Sequence, residues 1–151
     1  MQDRYFDDVR LGERWFSEPI LVSEDAIMEF GLTYDPQPFH TDAELAKAGP
    51  FGALVASGWH LAALAMKAFA SSKPYGNTPI VGMGVDELRW LSPVRAGDVI
   101  VVQREIVAKK DSISHPDKGI LRTSVQLVNQ EGAIAMRFIA IAQMSRKRVE
   151  C

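Results

Sequence analysis

The sequence predicts an α+β fold in which an antiparallel sheet wraps around one central apolar helix. Three observations carry that expectation. Between residues 59 and 70 only His60 and Lys67 are strongly polar, two helical turns apart on one stripe, and a helix apolar on almost every other face has to be covered. Downstream, residues 81–91, 99–108, 120–128 and 133–144 have the aliphatic and β-branched character of strands. The links between those runs are of hairpin length, which joins neighbours in antiparallel fashion.

Taken in order, residues 14–22 hold Trp15, Phe16, Ile20, Leu21 and Val22 with Pro19 among them, the pattern of an edge strand or an extended lead-in. Ser23 reads as an N-cap, with Glu24 and Asp25 in the first turn where the helix dipole favours negative charge. Gly31 is placed to end that helix. Pro36 and Pro38 then predict a fixed, extended loop. Thr41 with Glu44 three residues on has the form of a capping box, opening a short helix that Gly49-Pro50-Phe51-Gly52 breaks. Ser57-Gly58 opens the long apolar helix, and its alanines let other backbone approach closely. Residues 71–77 form a turn-rich connector. Asn129-Gln130-Glu131-Gly132 is a hairpin turn between the last two strands, and residues 111–119 are a longer connection between the middle pair. Residues 93–98 separate the first two. A helix against such a sheet is the hotdog arrangement. One subunit leaves a sheet edge and part of the helix uncovered, so a homodimer or a dimer of dimers is expected.

A chain of 151 residues is expected to form a single domain over 1–151. Its net charge of -2 argues against a nucleic-acid surface, and Arg146-Lys147-Arg148 reads as a solvated basic terminus. The lone cysteine, Cys151, permits no internal disulfide, which suits a reducing cytoplasm. The acidic start lacks the features of a signal peptide, and no apolar run is long enough to span a bilayer. No Cys/His cluster has metal-ligand spacing and no glycine fingerprint precedes a helix, so neither metal nor cofactor is expected.

Asp35 and His40 lie on a segment stiffened by two prolines. A carboxylate and an imidazole in fixed relation can divide proton transfers. Five positions apart, they share no helix face, and on spacing alone a turn-capping Asp35 and a structural His40 remain alternatives. Asp42 reads as a cap. At Ser57-Gly58 the free N–H groups of a helix start make an oxyanion site, with an ordinary N-cap and close packing against a strand as the competing readings. His60 and His115 read as structural or exposed, and Trp15, Trp59 and Trp90 as core. Arg89, Arg95, Lys109 and Lys110 are cations for a nucleotide phosphate or solvated strand ends.

The segment Asp35-Pro36-Gln37-Pro38-Phe39-His40-Thr41-Asp42 resembles the Asp-x-Asn-Pro-x-His-x-Asp motif of the MaoC-like dehydratases, the family that includes (R)-specific enoyl-CoA hydratases. The likeness continues through Phe51-Gly52, Ala56-Ser57-Gly58-Trp59, Asp86-Glu87-Leu88-Arg89-Trp90 and Pro93-Val94-Arg95-Ala96-Gly97-Asp98. Gln37 stands where the family has asparagine, and Ser57 where a histidine commonly precedes the helix glycine. The resemblance implies a hotdog dimer that adds water reversibly to a trans-2-enoyl thioester. It further implies Asp35 and His40 as the catalytic pair and the Gly58 amide, with Ser57, as the substrate-binding oxyanion site. Acyl-CoA thioesterase activity and non-catalytic binding of an acyl thioester are the other functions this fold can host.

Overall fold

The computed structural model describes residues 2–148, which leaves the reading of Cys151 outside the described residues. The chain enters through two short strands, β1 (Arg14–Phe16) and β2 (Ile20–Leu21). Ser23 caps α1 (Glu24–Tyr34), its hydroxyl oxygen accepting from the Ala26 N–H at 3.2 Å. α1 does not end at Gly31. It continues to Tyr34, and the glycine serves a close approach instead: a Cβ at Gly31 would lie 2.5 Å from the His40 carbonyl oxygen.

Residues 35–42, expected to be extended, contain one turn of helix, α2 (Pro38–Thr41). Pro38 sits at its start, where a missing N–H costs nothing and the fixed φ favours the turn. The Thr41 capping box is also corrected. Asp42 caps α3 (Ala43–Lys47), accepting from the Glu44 and Leu45 N–H groups at 3.0 and 3.1 Å, while the Thr41 hydroxyl donates back to the Gln37 carbonyl. Aspartate outcompetes threonine here because two helix N–H groups converge on one charged oxygen.

The apolar helix is α4 (Gly58–Ser72), and four long strands follow it: β3 (Ile80–Trp90), β4 (Val99–Asp111), β5 (Lys118–Val128) and β6 (Ile134–Ser145). The sheet order is β1-β4-β5-β6-β3, with β2 also on β4 and every pair antiparallel. This is a hotdog fold. One connection differs from the hairpin expectation, because β3 and β4 are consecutive yet not adjacent. The link between them is held elsewhere: the Gly97 N–H donates to Val22, and the Val94 carbonyl accepts from Ala56.

β5 alternates strictly between part-buried and buried residues, and its inward Val125 and Leu127 join Ile100, Val102 and Met136 around Ile27, Leu61 and Ala65. Each Val, Leu, Ile or Met side chain among them contributes about 1.5–3 kcal/mol of burial. α4 is left partly uncovered, as expected of one subunit. Trp59 is 59% and Met66 60% exposed, and Val81, Met83 and Val85 of β3 are more than half exposed. Among the described residues β3 pairs only with β6, leaving its other edge open. Among the described residues no helix is long and apolar enough to cross a membrane.

Candidate active site

Asp35 ends α1, its N–H donating to the Gly31 carbonyl at 2.9 Å. A carboxylate at the negative end of a helix dipole is poorly placed, and nearby groups offset this. The Gln37 side-chain amide donates to Oδ1 at 2.8 Å, the Ser57 hydroxyl donates to Oδ2 at 2.8 Å, and His40 Nε2 stands 3.2 Å from Oδ2. The Gln37 amide above all, then the Ser57 hydroxyl and the His40 charge, hold the Asp35 carboxyl below its usual range against partial burial.

His40 is brought there by α2 and is only 5% exposed. Its Nδ1 lies 2.7 Å from the Val55 carbonyl oxygen. A carbonyl can only accept, so Nδ1 carries a hydrogen and Nε2 is left to face Asp35. The Phe39 ring packs edge-on to the imidazole at 4.3 Å, and the Val55 N–H donates to the Phe39 carbonyl. The histidine is therefore held at both nitrogens. The 3.2 Å contact between Nε2 and Oδ2 is attractive only with a proton between them, because two bare lone pairs repel.

Ser57 precedes α4 but makes no cap; it is 1% exposed and its hydroxyl is committed to Asp35, 22 positions earlier. Among the described residues the Gly58 N–H donates to no acceptor. The absence of a side chain at Gly58 accommodates Trp90, whose indole would lie 2.2 Å from an added Cβ. Gly58 thus packs closely against Trp90 and keeps its N–H unpaired among the described residues.

His40 and Gly58 line one cavity of about 260 Å³, with Phe39, Phe51, Leu61 and Trp90 among its walls. Asp35 and Ser57 are not in its lining. A larger cavity of about 540 Å³ lies along the second half of α4, away from this pair. Trp59 and Trp90, expected in the core, are instead 59% and 45% exposed and meet edge-to-face at 5.1 Å beside the smaller cavity. His115 is exposed. His60 is buried, stacked on Phe30 at 4.9 Å with its Nδ1 unpartnered among the described residues. Burial first, and the charge of His40 second, push the His60 pKa down. Lys67, on the same stripe, is exposed. Lys109 is occupied by the Val9 carbonyl and the Phe6 ring, and Lys110 is exposed. Arg89 and Arg95 are also exposed, and Arg95 reaches the Phe51 carbonyl at the cavity wall.

Residues 11–129 match the family model described as MaoC like domain. The chain belongs to the MaoC-like family. This MaoC-like chain superposes on the MaoC-like dehydratase of Rhodospirillum rubrum with a TM-score of 0.90 and 36% identity, covering 97% of this chain and 99% of that one. It is 29% identical to the uncharacterized protein YdeM of Bacillus subtilis over 125 residues, 83% of this chain and 87% of that protein. It is 26% identical to 3-hydroxybutyryl-CoA dehydratase of Methylorubrum extorquens over 102 residues, 68% of this chain and 63% of that enzyme. Sequence reasoning missed the donors from Gln37 and Ser57 to Asp35. For Gln37 the signal was an amide two residues beyond an acid; for Ser57 no local signal exists.

Proposed function

We propose that this chain is a hydratase of the acyl-CoA type that adds water reversibly across the double bond of a trans-2-enoyl thioester. One observation carries the reading: Asp35 and His40 share a 3.2 Å contact, and His40 lines the same cavity as the unpaired Gly58 amide. The thioester carbonyl accepts from Gly58 N–H, so enolate charge develops against a fixed donor at the positive end of α4. A water within reach of both Nε2 and the Asp35 carboxylate attacks the β carbon. Asp35, held ionised at neutral pH, takes the proton from that water, and His40 delivers the proton at Nε2 to the α carbon. The pair then holds the same number of protons as before, and dehydration runs the steps backward. No cofactor or metal enters this scheme. The likeness to a 3-hydroxybutyryl-CoA dehydratase supports a CoA thioester as substrate, and Arg95 is the cation beside the cavity for its phosphates.

The working unit in this reading is a homodimer joined along β3, whose open edge and exposed Val81, Met83 and Val85 suit a second copy. The deciding experiment offers the protein crotonyl-CoA and longer enoyl-CoA thioesters, following loss of the conjugated double bond and release of thiol together. Loss of the double bond without thiol is the expected result. Thiol release alone would assign thioester hydrolysis, and thermal stabilisation without turnover would assign a binding role.

A further inference from the structure

β4 carries a charge between the apolar residues of its inward face. Ile100, Val102 and Ile106 are at most 4% exposed and pack into the two core clusters, and strand alternation points Arg104 the same way. Its guanidinium lies over the Phe69 ring of α4, 3.8 Å from the centroid. Among the described residues it forms no ion pair and no hydrogen bond. The nearby Glu13 is occupied by Arg4 at 2.6 and 3.0 Å, so it does not neutralise Arg104. The negative end of the α4 dipole and the ring recover part of the cost of burying this cation. Desolvation still pulls the Arg104 pKa down to about 10.

Arg104 lines the cavity of about 540 Å³, a size typical of small-molecule sites. Ala62, Met66, Phe138 and Ala140 form much of its apolar body. Tyr75 joins Arg104 in its lining, 9% exposed and with no partner for its hydroxyl among the described residues. Thr78, on the same wall, has a buried hydroxyl likewise unpartnered. An apolar trough with one cation set among its apolar walls, Arg104, the exposed Lys73 also in its lining and a free phenol is complementary to an aliphatic chain that ends in a negatively charged group.

We propose that this cavity binds a medium-chain aliphatic carboxylate, with the hydrocarbon along Met66 and Phe138 and the carboxylate on Arg104 and Tyr75. A guanidinium meets a carboxylate through two parallel hydrogen bonds. The ligand has two sources. It is a free fatty acid, or it is the far carboxylate of an ω-carboxyacyl thioester held at Gly58, about 16 Å from Phe69 along α4 at 1.5 Å per residue. The second source rests on the hydratase reading; the first does not.

The test is a calorimetric titration of the full chain with decanoate and with decanol, its uncharged counterpart. Wild type is expected to bind decanoate at least tenfold more tightly than decanol. Arg104→Met, which places an apolar side chain on an inward apolar face, should keep the fold and lose that preference; Tyr75→Phe should weaken decanoate several-fold. A second arm compares ω-carboxyenoyl-CoA with plain enoyl-CoA. A kcat/KM preference for the former that disappears in Arg104→Met assigns the thioester source, and decanoate binding without such a preference assigns the free acid. Equal affinity of wild type for decanoate and decanol overturns the proposal. So does an Arg104→Met variant that changes the oligomeric state while leaving decanoate affinity unchanged.

Discussion

The two ends of α4 treat polar groups in opposite ways. At its start, Asp35 is met by Gln37, Ser57 and His40, and His40 is held at both ring nitrogens. At its other end, Arg104, Tyr75 and Thr78 line a larger cavity, where Arg104 rests on the Phe69 ring without an ion pair and the Thr78 hydroxyl has no partner among the described residues. The first arrangement is preorganised before any ligand arrives, which is what fixed proton transfer requires. The second leaves donors unsatisfied, so an arriving anion gains the most there.

The largest expected effect tests the preorganised end. Asp35→Asn keeps the shape of the side chain but removes the base, and hydration should fall by about 10²–10⁴-fold with the melting temperature little changed. Undiminished turnover would remove Asp35 from the mechanism. Next in size, Val85→Lys places a charge on the open β3 strand and should convert the proposed dimer to monomer by light scattering, with activity lost if the site needs both copies.

A finer comparison separates the donors on Asp35. Gln37→Ala and Ser57→Ala each remove a hydrogen bond that lowers the Asp35 pKa, so in both variants the acid limb of kcat/KM moves to higher pH. The shift is expected to be larger for Gln37→Ala, because the Gln37 amide is the leading cause of the depression. Ser57→Ala should also cost about 1–3 kcal/mol in stability, measured by denaturant titration, for the bond to a charged group. An acid limb that stays in place in both would show that Asp35 does not govern the rate.

The smallest effect concerns His60. Its folded pKa lies below the ordinary 6.5, so as pH falls below about 6.5 the unfolded chain takes up the proton first and stability declines. His60→Leu removes both that proton and the unpartnered Nδ1. Its stability should hold flat where wild type begins to fall between pH 7 and 5, with a gain of about 1 kcal/mol. Parallel curves for the two proteins would separate His60 from the acid response.

Much of the architecture was legible because it is written in local periodicity: the Ser23 cap, the long apolar helix and the four strands all lie where the pattern places them. Local errors arose where two residues competed for one role. Asp42 took the cap from Thr41, and Gly31 served a close approach to His40 rather than a helix end. At the candidate site the spacing of Asp35 and His40 left their meeting open, since the bend through Pro36 and Pro38 sets it. Arg104 left a trace that was overlooked, a charge in the alternate register of Ile100, Val102 and Ile106.

By itself, then, the sequence determined where the long apolar helix and the four long strands form and which residue types near the start of α4 suit proton transfer, because those properties depend on neighbours a few positions apart. Tertiary structure alone decided that β3 lies beyond β6, that Ser57 bonds Asp35 rather than its own helix, and that Trp90 covers Gly58. These join groups 22 to more than 30 positions apart, and only packing around a shared core brings such distant groups within the 3 Å reach of a hydrogen bond.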